Sequence, residues 1–396
     1  MFSEAAESNG LSLERLEQVE DACRRHIDGG SVAGVVTAVA RRGKAAYLRS
    51  VGSQDLERDI PMGDDTVFRV FSMTKPVTCV CVLILFEEGK LRLTDPVSRF
   101  FSHFRSMRVY QAGDEPPFET VEADREITIW DLMTHTAGLA YGTGDPHPAE
   151  QAFREAVWRP LHQDPDLDLG FLAEIVAEQP LVHQPGTQWR YSIANDLLAA
   201  VVERASGIGF AEFLEERVTA PLGMSDTGFS VHPESRSRLA TPYQMQEDGT
   251  LASAEDHELM AVLWSSAHPS GGAGLFSTAG DYLRFAMMLA AGGSLDGSRI
   301  LAPATVDLMV RNHLPEPIVA GRGSGYGLGV EVLTDLTDHK GHGGLGRYGW
   351  TGAASTYFRV DPVYDLVLVI MLQLLPGFCR PIVDDVHTAV YQAIVG

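Results

Sequence analysis

The two ends of the chain are rich in β-forming residues and the middle is not, and this constrains the fold more than any other feature. Residues 33–51, AGVVTAVARRGKAAYLRSV, place two β-rich runs around Arg-Arg-Gly-Lys, the signature of a hairpin. Towards the other end, YGLGVEVL, STYFRV and DLVLVIML read as strands, the last two joined at Asp361-Pro362. From about 90 to 230 the pattern is helical, with Pro-, Gly- and Asp-rich interruptions. One antiparallel sheet built from both termini, flanked by helices and carrying an inserted, mainly helical domain, satisfies both observations. The class is α+β. The sheet domain is predicted at 1–75 and 270–396, the helical domain at 76–269, with a cleft between them.

The helices have legible ends. PVTCVCVLILF (76–86) is apolar all round and stops at Glu87. It is too short to span a bilayer and predicts a buried helix over about 73–89, closed by Gly89. An N-terminal amphipathic helix presents Leu13, Leu16, Val19 and Cys23 on one face. The segment before it has no apolar stretch long enough for a secretion signal. TIWDLMTH begins a further helix, YSIANDLLAAVVERASG is closed by Gly207, and FAEFLEERVTAPLG follows. STAGDYLRFAMMLAAGG offers Thr278 and Asp281 as a capping box, and 381–394 forms the last helix. Polar, proline-rich stretches at 111–125 and 141–170 are predicted loops that rim the cleft.

Composition excludes several functions. At 396 residues and 45% hydrophobic the chain has ample core. A net charge of −22 repels a phosphate backbone, so nucleic acid is no expected partner, and neither is a membrane. Cys79 and Cys81 point apart on one helix and cannot bridge. All four cysteines, with Cys23 and Cys379, are predicted to be buried thiols in a reducing, cytoplasmic compartment. There is no HExxH and no paired CxxC. His339, His342, Asp145 and His147 sit in loops of the kind that reach solvent, so no metal is expected. No glycine-rich nucleotide loop occurs, so no cofactor is expected. G-x-S-x-G is also absent; the nearest match, Gly223 to Thr227 around Ser225, lacks the second glycine.

One S-x-x-K remains, Ser72 and Lys75. Of four lysines, Lys44, Lys90 and Lys340 lie in turns, loops or at a helix end, whereas Lys75 opens the apolar run. On a helix, residues three apart share a face, so the amine reaches the hydroxyl. A lysine so placed can act as a base, or its ammonium can hold a tyrosinate that does, with helix N–H groups beside the nucleophile. The same four residues fit a serine helix cap followed by a lysine that snorkels to solvent, and the spacing alone does not choose.

The surrounding phrases do choose. FRVFSMTKPVTCVCVLILFEEGKLRLTDPVSRF (68–100), ITIWDLMTHTAGL (127–139), PGTQWRYSIANDLLAAVVERASG (185–207), PLGMSDTGF (221–229), SGGAGLFSTAGDYLRFAMML (270–289) and YGWTGAASTYFRVDP (348–362) occur in order. Together they resemble the serine β-lactamase and penicillin-binding-protein-like superfamily, closest to the class C β-lactamase-like esterases called family VIII carboxylesterases. The resemblance runs from about residue 30 to the C-terminus. It implies Ser72 as acyl-forming nucleophile, Lys75 as motif lysine and Tyr191 as general base and acid. It implies an oxyanion hole from the backbone N–H groups of Ser72 and Ala353. It also implies a substrate-lining strand at Trp350, Thr351 and Gly352, where the penicillin-recognising enzymes have Lys-Thr-Gly or His-Thr-Gly and the esterases commonly Trp-Gly-Gly.

Two departures bear on substrate. Ile193 stands where the β-lactamases have an amide-binding asparagine, and Trp350 removes the cation or imidazole that would face a carboxylate. Both shift the expectation from anionic amides to neutral, apolar esters of small or medium acyl chain. The expected enzyme is a carboxylesterase with weak β-lactam hydrolysis as a side activity. The alternatives are a β-lactamase or D-amino-acid peptidase, an acyltransferase and a non-catalytic sensor. His135 is expected to order a turn rather than react, and Ser225-Asp226-Thr227 to form a structural turn. Gly349, Gly352 and the two alanines that follow make Trp350 a wall of the site.

Overall fold

A computed structural model describes residues 6–142, 145–164, 167–257 and 268–396. Helix α1 (Leu13–Asp28) is capped by Ser12, whose hydroxyl accepts the Arg15 N–H at 3.3 Å, and it buries Leu16, Val19 and Cys23. It leads into the predicted hairpin of β1 (Gly34–Arg41) and β2 (Lys44–Asp55). Arg42 and Gly43 turn it with φ of 51° and 73°, the pair of positive angles that matches the twist of two-residue hairpins. After β3 (Ile60–Pro61) and β4 (Val67–Arg69) the chain enters α2 (Thr74–Glu87). Farther on lie α3 (Ala194–Ser206), closed by Gly207 at φ 83°, then β5 (Phe276–Thr278) and α4 (Ala279–Ala290). The sheet is completed by β6 (Ser324–Tyr326), β7 (Glu331–Leu333), β8 (Tyr348–Thr351), β9 (Tyr357–Asp361) and β10 (Leu366–Met371), and α5 (Ile382–Gln392) follows.

The eight-stranded order is β6-β7-β8-β9-β10-β1-β2-β3, with neighbours antiparallel. The two ends of the chain therefore meet at the centre, where β1 pairs with β10 from Val36 opposite Met371 to Arg41 opposite Leu366. All eight residues of β1 are buried, because helices cover both faces of the sheet. Val35 and Val39 face one side with Leu368 and Ile370, packing against Val19, Val386 and Val390 of α1 and α5. Val36, Ala38 and Ala40 face the other, in a core that continues through α4 into α2 and α3. The expected domain boundary at 75/76 falls inside the first turn of α2.

Several expectations are corrected. The 111–125 stretch is partly a hairpin, Arg108–Ala112 with Glu119–Glu122. The 141–170 stretch contains helical turns from Pro148 to Gln163, because Pro148 suits a first helical position and His147 accepts the Ala149 N–H. YGLGVEVL is two strands, not one. Gly329 turns between β6 and β7 at φ 86°, and a Cβ there would lie 2.5 Å from Cys79 Sγ. Cys379 is exposed, whereas Cys23, Cys79 and Cys81 are buried, and burial pushes the Cys79 thiol up to about 12. Thr278 caps α4, but Asp281 does not complete a box; its carboxylate accepts the Asp226 N–H and the Thr227 hydroxyl. Ser225-Asp226-Thr227 is thus a turn tied to α4. Among the described residues no helix is long and apolar enough to cross a membrane.

Candidate active site

The site begins in a turn held from three sides. Phe71 adopts a left-handed backbone, φ 47°, which costs an apolar residue about 1 kcal/mol or more. Neighbours restrain it. Thr74 Oγ1 donates to the Phe71 carbonyl at 2.7 Å, the Tyr282 hydroxyl to that of Met73 at 2.7 Å, and Thr356 Oγ1 to that of Val70 at 3.0 Å. Ser72 lies in the 3-10 turn Phe71–Met73 that runs into α2. It is half-buried, whereas Lys75 is wholly buried.

The lysine does not snorkel. Its Nζ donates to Ser72 Oγ at 3.2 Å and to the Gly272 carbonyl at 2.8 Å. It stands 4.5 Å from the ring centre of Tyr191 and 5.5 Å from that of Tyr141. Tyr191, distant in sequence, is therefore brought to Ser72 and Lys75. Tyr191 sits just before α3 in an aromatic enclosure. Ring centres lie 4.9 Å away at His135, 5.4 Å at Tyr141, 5.6 Å at Trp350 and 6.3 Å at Trp189. Tyr326 closes the ring against His135, Trp189 and Trp350.

Electrostatics separates these groups. Burial, then the Tyr191 and Asp196 charges, push the Tyr141 phenol well above its usual range; burial does the same to Tyr326. Both stay neutral at physiological pH and do not serve as bases. Burial and the neighbouring Lys75 hold His135 well below the usual imidazole range, so it carries no charge beside the lysine. Its Nδ1 meets Ser192 Oγ at 3.2 Å, and its carbonyl accepts the Arg190 N–H at 2.8 Å.

The end of β8 reaches the Ser72 turn through a glycine. A Cβ on Gly352 would lie 2.0 Å from Thr356 Oγ1 and 2.5 Å from the Val70 carbonyl, so only glycine lets the strand end lie there. Ala353, next in the chain, is exposed, and Trp350 and Thr351 are half-buried. Ile193 does not join them. It is wholly buried in the larger core, its N–H donates to the Ala140 carbonyl at 3.2 Å, and it presents no surface to a ligand. Tyr141 and Tyr326 were not singled out from sequence. Tyr141 follows THTAGLA closely, which was a usable signal, but nothing local marks Tyr326.

Among the described residues no group of three or more His, Cys, Asp or Glu side chains is placed to hold a metal. Asp145 pairs with Arg190 at 2.6 Å, and His339 Nε2 contacts the His342 carbonyl within its own exposed loop.

The family described as Beta-lactamase matches residues 18–390. An uncharacterized protein of Mycobacterium tuberculosis is 38% identical over 376 residues, covering 91% of this chain and 90% of that one. Esterase EstB of Burkholderia gladioli is 32% identical over 401 residues, covering 95% and 94%. The solved structure of "EstCE1, a hydrolase with promiscuous acyltransferase activity" superposes with a TM-score of 0.81 at 27% identity, covering 96% of this chain and 99% of that one. Matched over nearly its whole length, in sequence and in fold, the chain belongs to the β-lactamase family.

Proposed function

We propose that this protein hydrolyses neutral carboxylic esters of small or medium acyl chain through an acyl-enzyme on Ser72. The observation that carries the reading is the wholly buried Lys75, bonded to Ser72 Oγ and seated against the Tyr191 ring. Tyr191, its phenolate held by the Lys75 ammonium, takes the Ser72 proton as Oγ attacks the ester carbonyl. The backbone N–H groups of Ser72 and Ala353 receive the oxyanion, each worth about 3 kcal/mol of transition-state stabilisation. Tyr191 returns the proton to the leaving alkoxide, then takes one from the water that attacks the acyl-enzyme and passes it to Ser72 Oγ as the acyl bond breaks. The half-buried Trp350, backed by the buried Tyr326, offers no cation to a carboxylate, which favours neutral esters over β-lactams.

The test is a p-nitrophenyl ester series with nitrocefin alongside, on the wild type and Ser72→Ala. Ester turnover should exceed nitrocefin turnover and vanish in Ser72→Ala; full activity in that variant sinks the assignment. A second reading, acyl transfer, draws on the transferase activity named for EstCE1 and on the aromatic surface beside Tyr191. Added alcohols that outcompete water for the acyl-enzyme would favour it.

A further inference from the structure

The geometry points to Asp196 as the positioning residue for Lys75, acting through Gly272. The inference rests on the ester-hydrolysis reading above.

Asp196 lies in the first turn of α3, five residues after Tyr191, and is 1% exposed. Its Oδ1 accepts the Ser270 hydroxyl at 2.6 Å and the Gly272 N–H at 3.2 Å. The Gly272 carbonyl in turn accepts Lys75 Nζ at 2.8 Å. One residue therefore receives the lysine on one side and gives a hydrogen bond to the carboxylate on the other. Nothing else fits in its place: a Cβ on Gly272 would lie 2.4 Å from Asp196 Oδ2. Gly271 is equally confined, with a Cβ 2.4 Å from the Asn195 carbonyl, and its own carbonyl accepts Thr78 Oγ1 of α2 at 2.7 Å. The segment 270–272 is clamped between α2, which carries Lys75, and α3, which follows Tyr191.

The titratable groups facing Asp196 leave Lys75 as its charge partner. His268 Nε2 is 4.0 Å from Oδ1, but burial holds this imidazole below its usual range and hence neutral. Tyr141, whose phenol Asp196 helps push up, is neutral too. A buried carboxylate is costly unless hydrogen-bonded and balanced. Here the balance is the Lys75 ammonium, reached through the polarised peptide groups of Gly272. Asp196 thereby fixes where Nζ sits, through the Gly272 carbonyl.

The test uses the full chain with p-nitrophenyl butyrate from pH 5 to 10, comparing wild type, Asp196→Asn, Ser270→Ala and Ser72→Ala. Asp196→Asn should lower kcat about 30-fold while KM stays within about twofold, as for an interaction made in the transition state. Loss of a buried negative charge disfavours the neighbouring cation, so the alkaline limb of kcat/KM should move about one pH unit lower. Ser270→Ala, which removes one hydrogen bond from Asp196, should shift the same limb the same way with about a threefold fall in kcat. An Asp196→Asn profile with wild-type kcat, or a lowered kcat with an unmoved limb, overturns the inference. If Asp196→Asn does not fold by thermal melting, the Ser270→Ala limb decides, and an unmoved limb overturns it. Full activity in Ser72→Ala would instead overturn the underlying ester reading, so the two failures are distinct.

Discussion

His135 grips the chain on both sides of Tyr191. Its carbonyl accepts the Arg190 N–H at 2.8 Å, its Nδ1 meets Ser192 Oγ at 3.2 Å, and its ring lies 4.9 Å from the tyrosine ring. It adopts φ 56°, a conformation asparagine tolerates better than most residues. His135→Asn should keep the backbone and lose the ring. The expected result is about a tenfold fall in kcat with little change in KM, checked by steady-state kinetics, because Tyr191 is then less well oriented.

Tyr191→Phe removes one oxygen and leaves the rings packed. As the proposed base of the acylation step, Tyr191 should be worth about 10²- to 10⁴-fold in kcat. Labelling of Ser72 by a fluorophosphonate should slow in parallel. Retained activity would spare Ser72 as nucleophile and assign the base elsewhere.

Trp350 stands 5.6 Å from Tyr191 and 5.3 Å from Tyr326, ring centre to ring centre. Trp350→Lys exchanges an apolar wall for a cation at the half-buried end of β8. The ratio of nitrocefin to p-nitrophenyl butyrate turnover should rise about tenfold, equivalent to ~1.4 kcal/mol of differential stabilisation.

Gly352→Ala forces an atom towards Thr356 Oγ1 and the Val70 carbonyl. The strand end must move away from the nucleophile turn, at a cost of about 1–3 kcal/mol. The expected outcome is a lower melting temperature together with at least about a tenfold loss of kcat, because the Ala353 N–H leaves the proposed oxyanion position.

Buried neutral histidines make the protein acid-sensitive. Burial, then Arg347 and Arg359, lower the His387 pKa to about 3, and Arg347 Nη1 donates to its Nε2 at 3.2 Å, which requires the neutral ring. In the unfolded chain the same ring takes its proton near pH ~6.5. Below that pH the unfolded state binds more protons, so stability falls by about 1.4 kcal/mol per pH unit for this ring until pH nears its folded value. His135, His183, His268 and His313 are lowered as well and act with the same sign. Urea midpoints should therefore drop between pH 6.5 and 4.5, and the drop should be shallower in His387→Gln.

Much of the site was legible because its signals are local. Ser72 and Lys75 sit three residues apart where a short turn runs into the apolar helix α2, and the Arg-Arg-Gly-Lys turn between two β-rich runs left little choice but a hairpin. Other features followed rules that local pattern does not display. Ile193 was read as facing substrate from its place after Tyr191, yet the start of α3 turns it into the core. The 141–170 stretch looked like a loop because it is polar and proline-rich, but proline is at home in a first helical turn. Cys379 was taken as buried by residue type alone, and it lies on a surface turn beyond the last strands.

By itself, then, the order of residues determined the α+β class, the sheet shared between both ends, and a serine and lysine on one helix face, since each follows from periodicities of two or 3.6 residues. Tertiary structure decided the rest. It burials Lys75 between Gly272 and two tyrosine rings, encloses Tyr191 with His135, Trp189, Tyr326 and Trp350, and lays Gly352 against Val70. Most of those contacts join segments far apart in the sequence. Whether a glycine there is a hinge or a point of close approach depends on what the rest of the chain packs against it.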